Sequence, residues 1–217
     1  MPLTQTPALP IELAYHDDYF LIANKPPGLL TVPGRGPDKQ DCLINRLLPE
    51  YPNSRIVHRL DMATSGLVII AQSLPALQAL GRLFETRQIA KEYIAVVDGL
   101  LEEDQGEINL PLICDWPNRP KQMVCHDTGK SAQTRFEVIQ RNEEAMQSRV
   151  ILRPVTGRSH QLRVHMQALG HPIVGDEFYA PEEVRVASPR LLLHATRLKF
   201  QHPFEEREMD ISLAPAF

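Results

Sequence analysis

His58-Arg59-Leu60-Asp61-Met62-Ala63-Thr64-Ser65-Gly66 runs directly into Leu67-Val68-Ile69-Ile70-Ala71, so a polar turn with a carboxylate near its centre feeds an unbroken apolar run. The run has the length of a strand and is far too short to span a membrane. Outward from it, similar segments recur: 19–25, 91–99, 134–140, 149–155, 191–200 and 209–213 all read as strands, as does 66–72 itself. Only two helices stand out. Ser73 is placed to cap one, whose apolar residues Leu74, Leu77, Leu80, Leu83 and Phe84 recur at helical spacing. The second spans Gln161 to Leu169 and is closed by Gly170. Many strands with few, separated helices predict an α+β fold built on a mixed, largely antiparallel sheet with flanking helices. Prolines punctuate turns such as Pro26-Pro27-Gly28. The acidic stretch Glu102-Glu103-Asp104-Gln105-Gly106 reads as a surface loop, or as a hinge between two halves of one sheet.

The chain has 217 residues, of which 43% are hydrophobic and 23% charged, enough for one large domain or two small ones without a disulfide or metal staple. Its three cysteines, Cys42, Cys114 and Cys125, are an odd number with no C-x-x-C pair, which points to reduced thiols and a cytoplasmic setting. The N-terminal stretch carries neither a basic nor an apolar targeting region, so secretion and membrane insertion are disfavoured. Residues 1–10 are expected to be a flexible leader. A net charge of −4 argues against a polyanion partner, but the distribution argues for one. Residues 115–171 hold nine Lys/Arg against five acids, whereas the flanking parts of the chain are both acidic.

Four segments carry side chains suited to chemistry. Asp61 sits in a turn held by the strand behind it, with Thr64 and Ser65 in reach as hydrogen-bond partners; by itself it could equally be a turn cap. Thr156-Gly157-Arg158-Ser159-His160-Gln161-Leu162-Arg163-Val164-His165 crosses from a turn into a helix N-terminus. Free N–H groups, arginines and histidines meet there, which suits a phosphate or carboxylate, or simply makes a charged solvent face. His160 and His165, five apart and without acids or cysteines at ligand spacing, do not make a metal site. Alternation along Lys91-Glu92-Tyr93-Ile94-Ala95 puts Tyr93 and Ala95 on one face, either as core or as a platform for a base. The fourth segment, Arg190 to Ala195, reads as a core strand.

In this order the segments resemble the pseudouridine synthases of the RluA type. The resemblance rests on N-K-P-P-G-L at 24–29, H-R-L-D at 58–61 with T-S-G-L behind it, and K-E-Y at 91–93. It continues through T-G-R-S-H-Q-L-R-V-H at 156–165, G-H-P-I-V-G-D at 170–176 and L-L-L-H-A at 191–195. It implies an RNA-modifying isomerase with a central RNA-binding cleft, a single catalytic domain over residues 11–217, and no S4-like domain ahead of it. The reaction is redox-neutral and calls for no metal and no organic cofactor. The run Ile113 to Gln122 looks like the subgroup whose substrates are 23S rRNA and tRNA, and a monomer is expected.

By resemblance Asp61 is the essential carboxylate, acting as nucleophile at ribose or uracil or as base at C2′, with Arg163 as the cation that keeps it charged. Tyr93 is expected to stack on the flipped uracil and to take the C5 proton, and Leu193 to make an apolar contact with the base. Arg59 is expected to fill the vacated stack. His58, Arg158, Lys121 and Arg119 complete the substrate-binding set, the last three as contacts in the basic segment. Two rivals are a non-catalytic RNA-binding module of the same fold and an unrelated hydrolase pairing Asp61 with His58 or His160.

Overall fold

The computed structural model describes residues 10–217; residues 1–9, most of the expected leader, lie outside the described residues. In chain order the elements are β1 (Leu13–His16), β2 (Phe20–Lys25), α1 (Leu43–Leu47), β3 (Arg55–Ile56), β4 (Ser65–Ala71), α2 (Leu74–Glu85), β5 (Ala90–Asp98) and β6 (Gln105–Asn109). They continue with β7 (Leu112–Cys114), β8 (Gln122–Val124), β9 (Gln133–Asn142), β10 (Gln147–Pro154), α3 (Gln161–Ala168), α4 (Glu182–Val186), β11 (Leu193–Gln201) and β12 (Glu208–Ser212). All seven expected strands and both expected helices are present, and Ser73 Oγ accepts from Ala76 N at the start of α2.

Ten strands form one sheet in the order β1-β2-β4-β11-β5-β10-β9-β6, with β12 on β11 and β3 on β4, while β7 and β8 form a separate hairpin. Among the described residues β4 and β11 make the one parallel strand pair of a sheet otherwise antiparallel. All seven residues of β4 are buried, because the sheet is covered on both faces there. Phe20, Ile22, Leu67, Ile69 and Ala71 pack against Ala76 and Leu80 of α2; on the other face Leu21, Ala23, Val68 and Ile70 meet Leu43 and Leu47 of α1. A third cluster seats Leu162 and Met166 of α3 on Ala95, Val97, Val150 and Leu152 of the central strands.

The elements absent from the sequence reading are short or polar. β6 exposes most of its side chains, with Ile108 its one buried residue, so its pattern carries little apolar signal. The acidic stretch is not a hinge. Arg141 donates to Leu101 O at 2.7 Å and pairs with Asp104 at 2.8 Å, which pins the turn, and from Gln105 the chain pairs with β9.

Two histidines secure β4. His58 Nε2 accepts from Ile69 N at 3.0 Å, bridging the gap between the β11 pairing at Ser65–Gly66 and the β3 pairing at Ile70–Ala71. His194 Nδ1 lies 2.9 Å from Ser65 Oγ at the strand's start. Burial is the main reason the His58 pKa is held down to about 3, with the Lys91 charge adding to it; burial, then Arg190, holds His194 at about 4. Both are neutral in the fold, whereas the unfolded chain protonates them below about pH 6.5. The unfolded state therefore binds more protons between that pH and the folded values, and stability is lost as pH falls through the window. Thermal unfolding should show a melting temperature dropping from pH 6.5 toward 4, with a shallower drop in His58→Gln. An unchanged slope in that variant would remove His58 from the account.

Candidate active site

A cavity of about 660 Å³ opens over the middle of the sheet, and Asp61, with 29% of its side chain exposed, stands in its wall. The turn carrying Asp61 closes through Thr64 N to Asp61 O at 3.2 Å, and hydrogen bonds on both sides bracket it. Thr31 Oγ1 donates to Leu60 O and accepts from Leu60 N. Lys25 Nζ, wholly buried, donates to Pro26 O, Leu29 O and Met62 O at 2.8–3.0 Å. Burial pushes the Lys25 ammonium down to about 7 against the pull of Asp61; the three carbonyls occupy all three of its donors and favour the charged form. Contrary to expectation, Ser65 does not orient Asp61: its hydroxyl is held by His194 and by Arg190 Nη2 at 2.6 Å. The chain after it is held by close approach. At Gly66 (φ +113) a Cβ would stand 2.3 Å from Ala195 O of β11, so no side chain fits.

Arg163 projects from the first turn of α3. The Gln161 amide ties that turn down: its oxygen accepts from Arg158 N and Thr156 Oγ1, and its nitrogen donates to Gln133 O and Thr134 Oγ1. The expected Arg163–Asp61 pair is present but secondary. Arg163 Nε and Nη2 make a bidentate bond to Asp176 at 2.7 and 2.6 Å, which leaves Nη1 facing Asp61 Oδ2 at 3.6 Å. Burial disfavours the Arg163 cation, but Asp176 more than offsets this and raises its pKa above the ordinary value. The rings of Phe178 and Tyr179 stand 5.1 and 5.0 Å from the guanidinium carbon.

Tyr93 faces Ala195 of β11 on one side and Leu152 of β10 on the other, and Leu193, opposite Ala95, lies one step along the same wall. Burial, then the Asp61 charge, raises the Tyr93 phenol well above its usual range, so it keeps its proton at neutral pH. Arg59 and Arg158 are exposed on the rim; Arg158 Nε donates to Ser131 O, and Arg59 has no hydrogen-bond or ion-pair partner among the described residues. Of the remaining expected residues, His58 lines the cavity but its Nε2 serves Ile69 and its ring packs 4.5 Å from Phe84. Arg119 and Lys121 lie outside the cavity lining, on the β7–β8 hairpin, where Arg119 stacks on the exposed Trp116 at 4.4 Å. Asp176, Phe178, Tyr179 and Lys25 were not singled out from sequence. Asp176 and Lys25 do lie inside quoted motifs, but spacing does not say which charges meet. His165 is a core residue, bonded to Thr134 Oγ1 and Leu110 O. Among the described residues no group of three or more His, Cys, Asp or Glu could hold a metal ion.

About half of the basic segment is neutralised internally. Arg135, Arg141, Arg153 and Arg163 have carboxylate partners, and Arg149 bonds Phe217 O. Arg119, Lys121, Lys130 and Arg158 have no carboxylate partner among the described residues. They sit on the hairpin, where Pro120 between Arg119 and Lys121 lines the cavity, on the segment that bridges Leu112 to Lys130, and on the cavity-lining turn bonded to Ser131.

Residues 19–168 match the family model described as RNA pseudouridylate synthase. The chain is 51% identical over 207 residues to the dual-specificity RNA pseudouridine synthase RluA of Pasteurella multocida (strain Pm70), covering 95% of this chain and 94% of that one. It is also 51% identical over 204 residues to the protein of the same name from Escherichia coli (strain K12), with 94% and 92% covered. Among solved structures it resembles human RNA pseudouridylate synthase domain containing 1, at a TM-score of 0.82 and 27% identity over 99% of this chain and 87% of that one. The fold of human RNA pseudouridylate synthase domain containing 4 is also similar, at a TM-score of 0.76 and 24% identity, with 94% and 88% covered.

Removing one member of a buried ion pair strands the other, at a cost of about 3–5 kcal/mol, whereas replacing both by apolar residues is often neutral. Asp176→Leu should therefore destabilise the protein strongly in urea denaturation, and adding Arg163→Leu should restore most of the stability without restoring turnover. Stability that stays low in the double variant would show that Asp176 matters for reasons other than Arg163.

Proposed function

The chain belongs to the RNA pseudouridylate synthase family, an isomerase of uridine in RNA, and from that premise we propose how its residues divide the work. Detaching uracil at N1, turning it and rejoining it through C5 needs one ionised carboxylate at the sugar–base junction, whether it attacks C1′, attacks the ring or removes the C2′ proton. Asp61 is that group. What carries this reading is its placement: a partly exposed carboxylate in the wall of a cavity sized for one small molecule, with a buried arginine 3.6 Å away and Tyr93 on the same wall.

C1′ is out of reach while the base is stacked, so the nucleotide must be extruded. Arg59, exposed and unengaged on the rim, fills the vacated stack; Tyr93 stacks on the uracil, and Leu193, beside it on the same wall, makes an apolar contact with the base. The protonated Tyr93 phenol suits stacking; taking the C5 proton as phenolate runs against burial and, after it, the charge of Asp61. Arg158 and the hairpin cations Arg119 and Lys121 hold phosphates outside the cavity. We assign the substrates to stem-loops of 23S rRNA and tRNA, the site of action to the cytoplasm, and the activity to residues 11–217 working as one monomeric unit. The alternative of a non-catalytic RNA-binding module has no observation in its favour, since the family's reacting side chains stand together.

Release of tritium from C5-labelled uridine in a stem-loop reads the reaction directly. Asp61→Asn should fall below about a hundredth of the wild-type rate while RNA affinity changes only a few-fold; higher residual activity would show that Asp61 is dispensable. With four unpaired cations in the basic segment and Arg59 on the rim, the slope of log K against log salt should lie near −2 to −4, at ~0.7 per phosphate for single strands. Charge reversal at Lys121 should weaken all RNAs alike. Greater sensitivity to reversing acids in residues 1–114 would place the RNA elsewhere.

A further inference from the structure

His160 stands at the first residue of the α3 turn with a left-handed backbone (φ 53), a conformation uncommon outside glycine, and its side chain is 10% exposed. Its Nε2 is 3.9 Å from Asp61 Oδ1, and its Nδ1 is 2.6 Å from the Tyr179 hydroxyl. That hydroxyl is buried and accepts from Gln122 N of β8 at 2.8 Å. A phenol has one proton to give. With one lone pair facing Gln122 N–H, and no other acceptor bonded to it among the described residues, the proton is satisfied on His160 Nδ1. A neutral imidazole that accepts at Nδ1 carries its own proton on Nε2, and that edge faces Asp61. Two rings pack against it, Phe178 stacked at 5.8 Å and Tyr179 edge-on at 5.6 Å. Burial and the neighbouring Arg163 favour the neutral ring, while Asp61 and Asp176 oppose them.

We infer that His160 and Tyr179 are positioning residues for Asp61: Tyr179, oriented by the β8 backbone, fixes the His160 tautomer so that Nε2–H and Arg163 Nη1 hold the two carboxylate oxygens separately. This rests on the reading of Asp61 as the reacting group. One donor per oxygen fixes the rotation of the carboxylate plane, which a single cation leaves free. At 3.9 Å the His160 contact is longer than a hydrogen bond, and this positioning requires it to shorten with substrate bound, as catalytic contacts in unliganded sites commonly do.

The test is a double-mutant cycle on the full chain with one stem-loop substrate, measuring kcat, KM and RNA affinity, with thermal unfolding as a check on folding. Tyr179→Phe should lower kcat about tenfold with KM within about threefold, the expected size for losing one orienting hydrogen bond. His160→Leu should lower kcat about a hundredfold, and His160→Gln, which keeps an N–H near the Nε2 position, should recover most of that. In the His160→Leu background, Tyr179→Phe should cost nothing further, because it acts only through His160. Additive losses, losses in KM rather than kcat, or a Gln variant no better than Leu would overturn the inference. If His160→Leu fails to fold, the cycle between Tyr179→Phe and His160→Gln makes the same distinction, because both substitutions keep the packing. Asp61→Asn run alongside separates the two claims: an active Asp61→Asn defeats the underlying reading, whereas an inactive one with an additive cycle defeats the positioning inference alone.

Discussion

Arg163 carries a full charge while 2% exposed, and a guanidinium so buried persists only because Asp176 takes two of its N–H groups. The geometry of the site follows from that fork. Fixing Nε and Nη2 on Asp176 leaves Nη1 with one direction to face, and Asp61 stands in it. Asp176 Oδ1 also accepts from the backbone N–H of Phe178 and Tyr179. One carboxylate therefore sets the orientation of the cation, of the aromatic walls that flank it and, through Tyr179, of His160. Lysine, a point charge on a flexible stem, could not divide its donors between two carboxylates in fixed directions.

An acidic protein that handles RNA must confine its positive potential. Here Arg135, Arg141, Arg153 and Arg163 of the basic segment are spent on neighbouring acids, and among the described residues Arg119, Lys121, Lys130 and Arg158 are left without a carboxylate partner. Cations this few can place a nucleic-acid backbone but cannot distinguish sequences, so on the proposed reading discrimination falls to loop shape and to the energy of extruding the right base.

Much of this was legible in the residues. The buried strands announced themselves because β2, β4, β5 and β11 are apolar on both faces or on one, and α2 because its apolar residues and Ser73 cap agree. β6, β7, β8, α1 and α4 are short, and burial elsewhere in the sheet decides their existence rather than their own pattern. In the site, Asp61, Tyr93, Leu193 and Arg163 converge as the motifs implied. What sequence could not give was the pairing: which of two acids takes the fork of Arg163, that Ser65 turns to His194, that His58 serves the Ile69 backbone, and that the hairpin carries Arg119 and Lys121 outside the cavity. These are three-dimensional competitions for a limited number of donors, and motif spacing carries no record of them.

The placement of β11 between β4 and β5 has a consequence for how the molecule comes into being. Gly66, Ala195 and Tyr93 lie in one row across three strands, so the wall that Tyr93 and Leu193 give the cavity depends on a strand about a hundred positions downstream of Tyr93. Until that strand arrives, β4 and β5 are not neighbours and each offers an open edge. At ordinary synthesis rates the interval is roughly ten seconds. For that time the nascent polypeptide leaves the Ser65–Gly66 end of β4 and one edge of β5 unpaired, the condition in which chains associate wrongly. The cavity is thus completed in a single late step, and a chain interrupted before residue 193 has Asp61 but lacks Leu193 and the strand beside Tyr93.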